Sequence, residues 1–162
     1  MFDQERYEWC VGSGDPEYFL ESLEIGFHKA ADSKLIPLET LLKLICEFRN
    51  NGYKNEWLHK RKIFREFDLD VKLNCYFTMH EFRLEVTIAR LTSNENLCSE
   101  VILQTRPDEV FFDKKFKDIL IDERNITVTD FLDKPRFLID LKKAMGKKFE
   151  FEQIPDEEED DD

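Results

Sequence analysis

Three short stretches carry side chains whose types and spacing can do chemistry. Glu81, Arg83 and Glu85 alternate with apolar residues, so on a strand they stand in one row with the arginine between two carboxylates. Such a row either pairs within itself or offers carboxylates to the Arg and Lys of a partner. Gly12-Ser13-Gly14 precedes Asp15-Pro16, a loop entering a helix; anion capture there is disfavoured because Asp15 repels the anion. Asp68-Leu69-Asp70 has the spacing of an acidic metal-holding pair, but two carboxylates around one apolar residue form a common string, read here as the start of a strand. Cys75 and His80 are five apart and fall on opposite faces of a strand, which argues against a Cys–His nucleophile. His28, His59 and His80 are far apart in sequence and read as structural or surface histidines. The glycine-rich phosphate loops, the GxSxG elbow and the HExxH zinc motif do not occur. No catalytic residue, cofactor or metal is therefore expected, and the chain reads as a binder rather than an enzyme.

Charge says what it would bind. The 162 residues carry 24 basic and 36 acidic side chains, a net charge of −12. Seven of the acids form the terminal run Asp156 to Asp162; without it 29 acids face 24 bases, so the run dominates the long-range field. An acidic chain is a poor match for a phosphate backbone and a better one for a basic protein. The residues expected to meet that partner are Glu21 and Glu24 on the first helix, Glu81 and Glu85 on the sheet, and Asp156, Glu157, Glu158 and Glu159 of the tail.

The elements that hold these residues follow from periodicity. Asp15-Pro16 begins a helix over 16–31 with Phe19, Leu23, Phe27 and Ala30 on one face. A second begins at Ile36-Pro37, carries Leu38, Leu41, Leu42, Ile45 and Phe48, and stops at Asn51-Gly52. Trp57, Lys60 and Phe64 predict a short third helix over 55–66. Near Asp68 the period becomes two: strands are expected over 71–79, 82–88 and 99–106, and shorter ones over 116–121 and 126–128. Phe137, Leu138, Leu141 and Ala144 behind Pro135 predict a C-terminal helix, and 147–154 a last short strand. The expected class is α+β: an N-terminal helix pair, an antiparallel meander covered on one face by helices, a C-terminal helix and strand, and a disordered acidic tail. Residues 1–154 are read as one domain and 155–162 as the tail.

Cys10, Cys46, Cys75 and Cys98 form no CxxC pair and read as free thiols of a reducing compartment. The acidic start MFDQERYEWC has no basic, apolar leader, and no run approaches the length of a membrane span, so a cytoplasmic protein without membrane contact is expected.

The string GYKNEWL (52–58), followed by a basic segment and then strands, resembles a segment of bacterial immunity proteins that neutralise contact-dependent growth inhibition toxins. The resemblance implies a small cytosolic protein that binds its cognate toxin directly. The expected function is therefore neutralisation of a basic toxin or nuclease; an adaptor or chaperone for basic clients belongs to the same class.

The alternative is a nucleic-acid-binding module. It would use the basic stretches 59–65, 114–117 and 142–148, with Trp57 and Phe64 for stacking and the acidic tail as a built-in competitor. If this alternative holds, deleting 156–162 raises the affinity for a nucleic-acid probe, with a steep dependence on salt; if the chain captures a protein, binding to that probe stays negligible with or without the tail.

Overall fold

The computed structural model describes residues 3–155, with the side chain of Phe111 left out. The architecture is α+β, with three N-terminal helices, two four-stranded antiparallel sheets and a short C-terminal helix. The described residues fall into two compact units: one holds residues 3–55 together with Phe77–His80, the other Glu56–Tyr76 and residues 81–155.

In the helical unit, α1 spans Gln4–Ser13, α2 Glu17–Ser33 and α3 Leu38–Asn50. Asp3 caps α1 by accepting from Arg6 N at 3.0 Å, and Gly14 ends it in the left-handed region at φ 74°. The expected helix pair is thus a trio, and Gly12-Ser13 closes a helix rather than forming a loop. Only Cys10, Leu20 and Ile45 are buried among the described residues of these helices.

The sheet unit is drier. One sheet has the order β1 (Asn55–Phe64), β2 (Leu69–Phe77), β3 (Phe82–Arg90), β4 (Asn96–Thr105). Leu69, Val71, Leu73 and Cys75 of β2, with Phe82, Leu84, Val86 and Ile88 of β3, have no exposed surface. The alternation legible in the sequence is therefore the division between core and polar face. A one-turn helix α4 (Glu109–Phe112) leads to the second sheet, ordered β5 (Asp118–Ile121), β6 (Asn125–Thr129), β7 (Pro135–Asp140), β8 (Phe151–Gln153). Between β7 and β8 lies α5 (Leu141–Met145). The Phe82 ring stacks on Phe112 at 3.7 Å and 5°, and lies 5.6 Å from Phe116, joining β3 to the segment that enters the second sheet.

Two expected helices are corrected. Residues 55–64 form β1, followed by a 3₁₀ turn at Arg65–Phe67. The spacing of Trp57, Lys60 and Phe64 mimics a helical face, but burial over 60–64 alternates with period two and pairing with β2 supplies the backbone partners. Residues 135–140 form β7, where Pro135 occupies the first strand position and Phe137 and Ile139 point into the core. Helix resumes only at Leu141, where Asp140 accepts from Lys143 N at 2.8 Å. The expected single helix-covered meander is likewise replaced by two sheets.

Because Phe82 is fully buried within the aromatic stack, Phe82→Ala removes packing that its neighbours cannot refill. A loss of about 3–5 kcal/mol in unfolding free energy is expected by urea titration.

Candidate functional site

The carboxylates expected to face a partner are held in different ways. In the helical unit, Asp15 accepts from Glu17 N at 2.9 Å and so fixes the first turn of α2. From α2, Glu17, Glu21 and Glu24 project toward two arginines. Arg6 of α1 grips Glu21 through two bonds of 2.6 and 2.7 Å, and its guanidinium lies over the Tyr18 ring. Arg49, in the last turn of α3, reaches both Glu17 oxygens from Nε at 2.9 and 3.1 Å and Glu24 from its terminal nitrogens at 2.5 and 3.3 Å. Tyr53 donates its hydroxyl to Glu17 at 2.5 Å. Hydrogen bonds from Arg49, then from Tyr53, hold the Glu17 carboxyl below its ordinary range, and the same carboxylate pushes the Tyr53 phenol up. Glu21 is held low chiefly by its bond from Arg6.

The row on the sheet is also internally engaged. Arg83 Nε lies 3.0 Å from Glu81, and Gln104 of β4 donates to the same carboxylate. Glu85 turns to β4 instead, accepting from Ser99 at 2.7 Å, while Arg83 lies 5.5 Å from the centre of the Tyr76 ring. Asp156, Glu157, Glu158 and Glu159 lie outside the described residues.

Two of the three basic stretches converge. Lys60 and Lys62 of β1 both reach Asp118, at 3.3 and 2.6 Å, and His59 packs edge-on to Phe116 at 4.8 Å. These contacts bring 59–62 beside 114–117. Lys117 is taken up by Asp133 at 2.9 Å. The register places Asp118, Thr129 and Pro135 at one end of the second sheet and Asp140, which leads into the 142–148 stretch, at the other. Five strand residues separate the two ends, about 17 Å.

The helical unit also contains a cavity of about 600 Å³, within the range of small-ligand sites. Phe48, Tyr53, Phe77, Met79 and Pro16 form its apolar wall, and Ser13, Asp15, Asn55 and Thr78 bring polar atoms. Two backbone features shape it. A Cβ at Gly14 would lie 2.8 Å from the tip of the exposed His80 side chain, which would have to turn aside, and the left-handed φ of 74° favours glycine there. Gly52 and Tyr53 both take the left-handed conformation, at 67° and 59°, and Tyr53 N bonds back to Phe48 O at 3.0 Å. In a non-glycine residue this backbone costs about 1 kcal/mol or more, and it turns the tyrosine ring into the wall.

Burial pushes the Cys75 thiol up to about 12 and also raises Cys98, so neither is a thiolate near neutral pH. Burial likewise keeps His59 below its ordinary value. Among the described residues, no three His, Cys, Asp or Glu side chains gather as metal ligands, and no helix is long and apolar enough to cross a membrane. Comparison with family models, curated proteins and solved structures finds no match.

Sequence reasoning placed Glu21 and Glu24 on one helix but missed the arginines that engage them, 15 and 25 residues away. It also missed the cavity. The local signals were Gly12-Ser13-Gly14 before Asp15-Pro16, four of whose residues line the cavity, and Asn51-Gly52 as a helix stop; neither shows that the two stretches meet or that Tyr53 follows in the left-handed conformation.

The arginine clamp makes the helical unit sensitive to acid. The folded-state pKa of Glu17 lies below its unfolded value near 4.5. Its contribution is therefore fully present above that value and is lost as pH falls through the folded-state value. Between neutral pH and about pH 3, Glu17→Gln is expected to flatten the fall in helical stability relative to the unsubstituted chain, measured by urea titration with circular dichroism.

Proposed function

We propose that this chain is a protein-binding module that captures a basic protein by direct contact, acting as an inhibitor or immunity protein toward a toxin or nuclease. One observation carries the reading. The helical unit buries few apolar side chains and leaves large ones in solvent: Trp9 is 61% exposed, Ile25 and Leu44 55% each and Leu23 48%, whereas in the sheet unit β2 and β3 bury their inward apolar residues and the exposed ones, such as Leu58, Ile63, Leu120 and Phe151, lie on other strands. Covering a tryptophan of that exposure contributes roughly 2–3 kcal/mol, and aromatic anchors dominate interface energetics. Glu5 lies one turn before Trp9 on the same helical face, so charge sits beside the anchor.

The net charge of −12 supplies the steering field for a basic partner, with Glu81, Glu85 and Asp156, Glu157, Glu158 and Glu159 contributing to it. Glu21 and Glu24 serve differently from the sequence-based expectation. Bound by Arg6 and Arg49, they fix the helices that present the apolar residues and add to the field, rather than standing open to a partner's arginine. The string GYKNEWL that resembles immunity proteins runs from the end of α3 into β1, and its Gly52, Tyr53 and Asn55 line the cavity.

The converged basic stretches give less support to nucleic-acid binding. Asp118 takes up Lys60 and Lys62, Asp133 takes up Lys117, and the third stretch lies at the far end of the sheet.

In affinity capture from a lysate, the tagged chain is expected to retain a basic protein that high salt releases. Trp9→Ala is expected to weaken that capture at least about tenfold without loss of helix content. Retention of nucleic acid alone, or equal capture by the Trp9 variant, would overturn the reading.

A further inference from the structure

We propose that the cavity of the helical unit is a receptor for an arginine side chain of the basic partner, an inference that rests on the reading of the chain as a binder of such a protein.

The lining is suited to a flat organic cation. Three of its walls are aromatic, Phe48, Tyr53 and Phe77, with Phe48 and Tyr53 edge-to-face at 5.8 Å. Aromatic faces attract guanidinium, and the thioether of Met79 adds a polarisable surface for the aliphatic stem. Asp15 is the one charged side chain of the lining, and no lysine or arginine contributes to it. Behind Tyr53, the carboxylates of Glu17 and Glu24 share the single guanidinium of Arg49, leaving one negative charge in excess. The cavity therefore sits in negative surroundings.

An anion fits poorly in the same place. The first turn of α2, which would otherwise offer amide groups, already has its Glu17 N–H bonded to Asp15. The left-handed backbone at Tyr53 is held by its hydroxyl bond to Glu17 and its edge contact with Phe48, which fix the ring in the wall. The volume accommodates an arginine side chain with part of its own main chain. Arginine is favoured over lysine because a planar guanidinium stacks on aromatic faces and meets a carboxylate with two parallel donors.

The test uses N-acetyl-arginine amide and its neutral isostere N-acetyl-citrulline amide on the full chain with ¹³C-methyl-labelled methionine. Met79 lines the cavity, and Met145, in α5 of the sheet unit, reports on non-specific effects. The arginine compound is expected to shift the Met79 methyl resonance saturably and leave Met145 unmoved, with citrulline binding at least about fivefold more weakly. Asp15→Asn keeps an oxygen acceptor for Glu17 N while removing the charge, so it is expected to weaken the arginine compound about fivefold with unchanged helix content. An unmoved Met79, or equal responses to the charged and neutral compounds, would overturn the assignment. That result would leave capture of a basic protein intact, whereas a Met79 response in a chain that captures no basic protein would sink the parent reading instead.

Discussion

The helical unit depends on one shared cation. Arg49, from the last turn of α3, spans two carboxylates of α2, Glu17 and Glu24, about two turns apart, and thereby fixes both the spacing and the rotation of the two helices. With so few apolar side chains buried in this unit, these directional bonds set its geometry, although ion pairs as exposed as these add little stability of their own. Tyr53 depends on the same cluster: its hydroxyl ends on Glu17, so the arginine, the glutamate and the aromatic wall form one connected set. Like-charged carboxylates along one face of α2 would repel without the guanidinium between them.

The two units solve the stability problem by different means. In the sheet unit, alternating strands close a core in which Leu69, Val71, Leu73 and Cys75 of β2 and Phe82, Leu84, Val86 and Ile88 of β3 have no exposed surface, and Phe82 locks into the stacked phenylalanines. Polar groups there are engaged with one another. Asp130, itself buried, accepts from the amides of Leu132 and Lys134 and from Arg136; burial pushes its pKa upward, but these bonds outweigh it and hold the carboxyl below its ordinary range. Thr129 Oγ1 is an exception, buried with no hydrogen-bond partner. The helical unit has little such core and keeps Trp9 and Ile25 in water, surface that association would cover.

How much of this was legible follows from which interactions are local. Strands β2 and β3 were readable because each apolar residue has its polar neighbour at the next position, and the pattern persists for nine residues. Strand β1 and the Pro135–Asp140 strand were not, because three apolar or long side chains at helical spacing are ambiguous in a short window, and only pairing with another strand decides. The candidate site divides along the same line. That Glu21 and Glu24 stand on a helix was a local matter; that Arg6 and Arg49 engage them depends on contacts 15 and 25 residues apart. The cavity needs Phe77 and Met79 brought to Ser13 and Tyr53, which no periodicity announces.

The left-handed tyrosine at position 53 ties the cavity wall to the clamp between the helices. A glycine there would relieve about 1 kcal/mol of backbone strain but forfeit the hydroxyl bond to Glu17 and the edge contact with Phe48. Remodelling the wall at this position therefore also disturbs the joint that holds α3 against α2.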